Sequence, residues 1–144
     1  RINKMKVVFL AFFALVSTAL FAQPKANDYA KFSTENFDFG KIKQGIPVTA
    51  TFTVTNISKE PLIIEQAAPS CGCTVSDYTK EPIAPGKTGT IKAVFNAAAL
   101  GPINKTITVK FANAQDVKFV KLSGEVLDAA AYGKIKNDKS QKNG

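Results

Sequence analysis

The sequence contains no histidine and no tryptophan, and its only methionine is Met5. Because no imidazole is available, the chain cannot form the Ser-His or Cys-His pairs that activate a catalytic nucleophile. A zinc or copper site would need cysteine, carboxylate or backbone ligands, and the cysteines number only two, Cys71 and Cys73. We therefore expect a protein that is not an enzyme and that uses no cofactor.

The formal net charge of +8 invites a nucleic-acid interpretation, but its distribution argues against one. Lysines in the middle of the chain are scattered over alternate positions, which is typical of a solvated surface. Binding to nucleic acid requires a concentrated basic patch instead, so we expect no nucleic-acid partner. Many of the other basic residues lie near the two ends of the chain: Arg1, Lys4, Lys6, Lys134, Lys136, Lys139 and Lys142.

Residues 5–23 have the composition of a secretory signal peptide. Lys4 and Lys6 provide the positive start, and Val7–Val16 is an unbroken apolar stretch that leads to the small residue Ala22. This stretch is short for a membrane-spanning helix, which needs about 20 apolar residues. We predict export and cleavage after Ala22, so that the mature chain is periplasmic or extracellular without stable membrane insertion; an uncleaved N-terminal anchor is the alternative.

The remaining chain divides by composition into three further regions. A short polar segment follows the predicted leader, and the last residues contain too few apolar side chains to form a core. The expected organisation is a signal peptide at residues 1–22, of which 1–4 precede the expected start, a linker at 23–30, a domain at 31–127, and a disordered basic tail at 128–144.

From residue 31 onward, apolar and polar side chains alternate with a period of two, interrupted about every ten residues by turn residues. The clearest case is Val48–Thr55, where Ala50, Phe52 and Val54 share one face and threonines occupy the other. Six further segments are predicted as strands: Asn36–Gly40, Leu62–Glu65, Cys73–Ser76 at an edge, Thr90–Phe95, Lys105–Phe111 and Val117–Val126. This pattern predicts an all-β, seven-stranded immunoglobulin-like sandwich with Greek-key connections.

Two local features of this pattern are less regular. In the last strand the apolar phase shifts by one residue between Phe119 and Val120, so we predict a β-bulge at this point. Outside the leader, the one helical candidate is a single turn at Asn96–Leu100.

The Cys71-Gly72-Cys73 segment is the one motif able to carry chemistry, and four interpretations remain open. In an extended strand the two Cα atoms would be about 6.6 Å apart, near the limit for a disulfide. A strained disulfide is easily reduced, which would make Cys71 and Cys73 a redox pair. The two thiolates are also candidate ligands for a soft metal ion such as Cu(I), or they are simply packed thiols.

An ordered series of motifs resembles the bacterial DUF1573 family, whose domain is similar to immunoglobulin-like modules of the major-sperm-protein and Hydin type. The resemblance covers Phe32–Leu127 and implies a seven-stranded sandwich and an exported location, but little about activity. The related modules serve as binding and assembly platforms rather than enzymes. The resemblance assigns no role to the cysteine motif. The matching segments are Asn36–Gly45, Phe52–Asn56, Ser70–Thr74, Ile83–Gly89 and Leu122–Val126.

Together, these observations favour an exported, non-catalytic binding or assembly module that presents a sandwich face or an edge strand. The expected partner is another exported or envelope protein. The alternative is a thiol-redox or soft-metal-handling protein that acts through Cys71 and Cys73.

Overall fold

A computed structural model describes residues 21–70 and 73–141. The described part of the chain forms strands and two helices in the following order: α1 (Ala26–Tyr29), β1 (Ala30–Phe32), β2 (Asn36–Lys43), β3 (Val48–Asn56), β4 (Ile64–Pro69), β5 (Cys73–Tyr78), β6 (Thr88–Phe95), β7 (Gly101–Phe111), β8 (Val117–Leu127) and α2 (Ala129–Gln141).

The strands form two four-stranded sheets, which we call sheet A and sheet B. Sheet A has the order β1-β3-β6-β5 and sheet B the order β2-β8-β7-β4. Strands β2 and β8 are parallel, and the other described pairs are antiparallel. The chain crosses between the sheets repeatedly, as Greek-key connections do, so the predicted all-β sandwich is confirmed. The described strands number eight rather than seven, because β1 precedes the first strand that the sequence predicts.

The core lies between the two sheets and is built from the inward side chains of each strand. Ala50, Phe52 and Val54 on β3 have no exposed surface, and neither do Ile107 and Val109 on β7. The alternation in the sequence therefore identified the buried face of both strands. The largest fully buried apolar side chains are Phe52, Val54, Leu62, Ile91, Ile107, Val109, Phe111, Val120 and Leu122.

The predicted β-bulge between Phe119 and Val120 is wrong. These residues pair with Thr108 and Ile107 of β7 in an unbroken register. Val120 is buried, whereas Phe119 is 54% exposed and lies on the outer face of sheet B. The phase shift in the sequence thus marks apolar side chains that point to solvent, not an extra residue in the strand.

An irregularity lies instead in β2, which continues through Gly40 to Lys43. The register with β8 shifts between Asp38 and Lys41, and the side chain of Asp38 accepts a hydrogen bond of 2.8 Å from the Gly40 amide. Opposite this bulge, Gly124 has a φ of +141°, and a Cβ placed on it would lie 2.7 Å from the carbonyl oxygen of Gly40. Only glycine allows the two strands to approach this closely.

The segment predicted as a linker is part of the domain. Helix α1 lies within it, and Ala30 already belongs to β1. The carbonyl of Pro24 accepts a hydrogen bond of 3.0 Å from the Gln115 amide, and Lys118 Nζ donates to Asn27 Oδ1 at 2.8 Å. These contacts join residues 24–27 to the β7–β8 turn and to β8.

The predicted disorder of the C-terminal tail is also wrong for its described residues, because Ala129–Gln141 is helical. Asp128 caps this helix by accepting a hydrogen bond of 2.7 Å from the Ala131 amide. Three consecutive alanines then give the first turn the highest intrinsic helix propensity. The single helical turn expected at Asn96–Leu100 does not form.

The predicted signal peptide falls almost wholly outside the described residues, which include only Phe21 and Ala22 of it. Over residues 21–70 and 73–141, neither helix combines the length and apolar character needed to cross a bilayer.

Candidate functional site

Cys73, the described cysteine of the motif, opens a strand of sheet A that follows β4 of sheet B in the chain. Cys73 is the first residue of the edge strand β5, as predicted, and pairs with Phe95 of β6. Its amide donates a hydrogen bond of 3.3 Å to the carbonyl of Ser70, whose own amide donates to the Thr106 carbonyl at 2.8 Å. Cys71 lies outside the described residues, so the disulfide, redox and metal interpretations of the pair stay predictions.

Burial raises the pKa of the Cys73 thiol, and the nearby Lys105 ammonium opposes this shift only in part. Lys105 pairs with the buried Leu122, so its side chain starts from the inner face of sheet B. A thiol with a raised pKa is mostly protonated at neutral pH and is therefore a weak nucleophile. The position of Lys105 beside Cys73 was not visible in the sequence, because the two residues lie on different sheets.

A shallow groove with a volume of about 230 Å³ lies at the end of the sandwich that carries Cys73. The segment between β6 and β7 forms one wall, and its backbone is held by the Gly45 amide, which donates to the Ala97 carbonyl at 2.9 Å. The groove is lined by Phe95, Asn96, Ala98, Ala99, Leu100, Pro102, Lys105 and Val126.

Within residues 21–70 and 73–141, no three cysteine or carboxylate side chains lie close enough together to hold a metal ion.

The outer face of sheet B carries an apolar surface, which we call the Phe119 face. It consists of Val117 and Phe119 on β8, Thr108 on β7 and Ala68 on β4. Phe119 pairs with Thr108, which in turn pairs with Ala68, so the three side chains form one row across the sheet. Phe119 is 54% exposed and Val117 37% exposed. The β-bulge predicted between Phe119 and Val120 would have turned both side chains toward the core, so the sequence did not reveal this surface.

The edges of both sheets are poorly suited to accept an added strand. β1 has only three residues, and the registers of β2, β4 and β5 are each interrupted by a shift. Bulges and short lengths are the devices by which proteins protect exposed edges from pairing with other chains. An added strand is therefore the less suitable of the two modes of contact expected from the sequence, a sandwich face and an edge strand.

The ordered motifs of the sequence and the sandwich topology agree with a family comparison. A family model described as a protein of unknown function, DUF1573, matches residues 30–126. The chain belongs to the DUF1573 family. No curated protein sequence matches the chain.

Solved structures that share the DUF1573 sandwich come from distant proteins. A protein of unknown function from Porphyromonas gingivalis W83 is 16% identical with a TM-score of 0.58, over 74% of this chain and 50% of its own. The secreted serine protease VesC from Vibrio cholerae is 14% identical with a TM-score of 0.59, over 71% of this chain and 24% of its own. This chain therefore spans half or less of these two proteins.

A single-domain match comes from the ASH/PapD-like domain 7 of human CEP192. It is 11% identical with a TM-score of 0.54, and the match covers 71% of this chain and 87% of that domain. Identities this low establish the immunoglobulin-like sandwich and nothing about activity.

Proposed function

We propose that this DUF1573 protein is an exported, non-catalytic module that binds another envelope protein through the Phe119 face. The observation that carries the proposal is the 54% exposure of Phe119 near the start of β8, where the strand pairs in regular register with β7. Aromatic side chains that are exposed on a rigid surface are enriched at protein–protein interfaces, where they act as anchors.

The outer face of sheet A provides an internal comparison. At the equivalent outward positions, β3 carries Thr49, Thr51, Thr53 and Thr55, which interact well with water. An antiparallel sheet that faces solvent normally has such polar outward residues. The apolar residues at outward positions of β8 are therefore a departure that solvation does not explain.

The charges around the Phe119 face indicate the chemistry of the partner. Lys121, two residues along β8, is exposed. Lys110 pairs with Val117 across the sheet and forms an ion pair of 3.0 Å with Glu65, in which both side chains are about half exposed. The surface that fits this face is a small apolar patch with a carboxylate placed to meet Lys121.

A non-catalytic role is supported by the small number of side chains that could act as a catalytic base or nucleophile. The sequence has no histidine, and burial raises the pKa of the Cys73 thiol. Export is supported by the leader predicted from the sequence at residues 1–22, and the structural neighbour VesC is described as secreted. Sequencing of the mature N-terminus after cell fractionation tests export: a chain that begins at Gln23 outside the cytoplasm is the expected result.

Site-specific photocrosslinking in the native cells tests the binding surface. A photoreactive amino acid at position 119 is expected to give one discrete covalent adduct with another envelope protein. The same group at Thr51, exposed on the outer face of sheet A, is the matched control and is expected to give none. The partner is then identified from the adduct.

A second pair of variants distinguishes specific binding through the Phe119 face from non-specific adhesion of the protein. With the crosslinker at Val117, Phe119→Glu is expected to abolish the adduct, whereas Thr51→Glu leaves it unchanged. Adducts of equal yield from both sheets, or no adduct from either, would overturn the proposal.

A further inference from the structure

Helix α2 packs against the edge strand β2 and leaves two cavities along their contact, which we call the α2–β2 seam. The cavities have volumes of about 410 and 580 Å³, within the range of small-molecule sites. Tyr132 and Lys136 contribute to both. The smaller is further lined by Ile42, Lys43, Ile46, Val48, Ala129 and Gly133, and the larger by Phe39, Gly40, Lys41, Ile135 and Lys139.

All the charged residues that line the seam are lysines. Lys41 and Lys43 come from β2, and Lys136 and Lys139 come from α2. Neither cavity is lined by a carboxylate, and none of the four forms an ion pair within residues 21–70 and 73–141. Glu125 lies beside Lys41 in the register of β8, outside both cavities.

Helical periodicity explains how the lysines of α2 come to face those of β2. Residues three and four apart lie on one side of a helix, so Tyr132, Ile135, Lys136 and Lys139 share a face. Lys134 and Asp138 are four residues apart on a different side, where opposite charges neighbour each other. The helix therefore places its single acidic residue away from the seam and directs two lysines toward it.

Several ammonium groups along one seam produce a positive potential that attracts an anion, and Lys136 Nζ also lies 5.7 Å from the centroid of the Tyr132 ring. The seam also has apolar and aromatic walls, including Phe39, Tyr132 and the 52%-exposed Ile46. Lysine is a point charge that suits phosphate oxygens, and the neighbouring apolar walls suit a hydrocarbon or sugar portion of the same ligand.

We propose that the α2–β2 seam is a binding site for a phosphate-bearing amphiphilic anion. The phosphate lies between the lysines of β2 and those of α2, and the apolar portion contacts Tyr132 and Phe39. Two kinds of ligand carry such a phosphate group: a soluble phosphorylated molecule and an anionic lipid headgroup. This site is separate from the Phe119 face and does not depend on it.

Two probes on the purified protein distinguish the two sources. Inorganic pyrophosphate, measured by isothermal titration calorimetry, represents a soluble phosphate. Phosphatidylcholine vesicles that contain phosphatidylglycerol, measured by co-sedimentation against pure phosphatidylcholine vesicles, represent a lipid headgroup. At least one of the two is expected to bind, with an affinity that falls as salt is added.

The double variant Lys136→Gln/Lys139→Gln removes two charges from the seam and is expected to weaken binding about 30-fold. The matched control is Lys134→Gln/Lys59→Gln, which removes the same net charge from exposed positions outside the seam and should change binding less than about threefold. All four lysines are exposed, so both proteins are expected to fold, and thermal unfolding of each checks this.

Each outcome decides the proposal. Binding of pyrophosphate that is lost only in the seam variant supports a soluble ligand, and binding confined to the anionic vesicles with the same loss supports a lipid headgroup. An equal loss of binding affinity in the two double variants would show a general effect of net charge and would overturn the proposal. Failure of both probes to bind would overturn it as well.

Discussion

The side-chain amide of Asn56 donates a hydrogen bond of 2.8 Å to the carbonyl of Ile83, which joins the end of β3 to the segment before β6. Asn56 is the one buried polar residue of the described core, with 0% exposure. The same Nδ2 donates to the Glu60 carbonyl at 2.7 Å, and Oδ1 accepts from the amide and hydroxyl of Ser58. The side chain thus uses all its hydrogen-bonding capacity to hold two loops at one end of the sandwich.

We expect Asn56→Ala to lower the free energy of unfolding by about 2–4 kcal/mol, because buried carbonyls and an amide lose their partner. Urea denaturation measures this. Asn56→Asp should be at least as damaging at neutral pH, since a carboxylate would face the carbonyls of Glu60 and Ile83. Asn104→Ala, at an exposed position of β7, is the control, and an equal loss there would contradict the role of Asn56.

Substitution of Gly124 tests the close approach of β2 and β8. We expect Gly124→Ala to destabilise the domain by about 2–3 kcal/mol, because its φ is +141° and a Cβ would lie 2.7 Å from the Gly40 carbonyl oxygen. In Gly133→Ala, on α2, a new Cβ meets no atom within 4 Å, so stability should change by less than about 1 kcal/mol. Similar chemical denaturation curves for the two variants would refute the contact.

Two phenylalanines test the side-chain orientation on sheet B. Phe111→Ala should cost about 3–5 kcal/mol, because Phe111 has no exposed surface. Phe119→Ala should cost less than about 1 kcal/mol, because Phe119 is 54% exposed. Guanidinium titrations of both variants give the comparison. A large loss of stability in Phe119→Ala would indicate that Phe119 is buried, as the predicted β-bulge in β8 requires.

The raised pKa of Cys73 predicts a pH dependence of its reactivity. In a Cys71→Ser background, the rate of alkylation by iodoacetamide follows the thiolate fraction of Cys73 alone. Because burial raises the pKa of this thiol, the rate should rise at a higher pH in the folded protein than in the same protein in denaturant.

Removal of Lys105 should move this pH profile further upward, because its ammonium lowers the pKa of Cys73. Lys110→Gln, on the outer face of the same strand, is the matched control and should leave the profile unchanged. A midpoint at or below that of the denatured protein would contradict the burial of Cys73 and favour a reactive thiol.

The alternation of apolar and polar residues predicted the strands well wherever both faces obey it. Val48–Thr55 lies within β3, with its threonines outside, and Cys73 begins the predicted edge strand β5. The rule failed on β8, because an outward Phe119 looks the same in sequence as an inward one. Only its partner Thr108 on β7 shows which face it occupies.

The C-terminal region illustrates a different limit. Low apolar content correctly indicated that residues after 127 add little to the core, but it did not exclude a helix stabilised by an Asp128 cap and an alanine-rich first turn. Within the candidate sites, Lys105 beside Cys73 and the lysines of β2 beside those of α2 are separated widely along the chain. Periodicity carries no information about such pairs.

The sequence by itself determined the sandwich class and the buried faces of the regular strands, because these depend on residue type and local period. The tertiary structure alone decided that Phe119 faces solvent, that the edge strands are interrupted, and that α2 directs its lysines toward β2. These properties depend on which strands pair and on which elements pack together. That pairing is settled by the free energy of the whole fold rather than by any single segment.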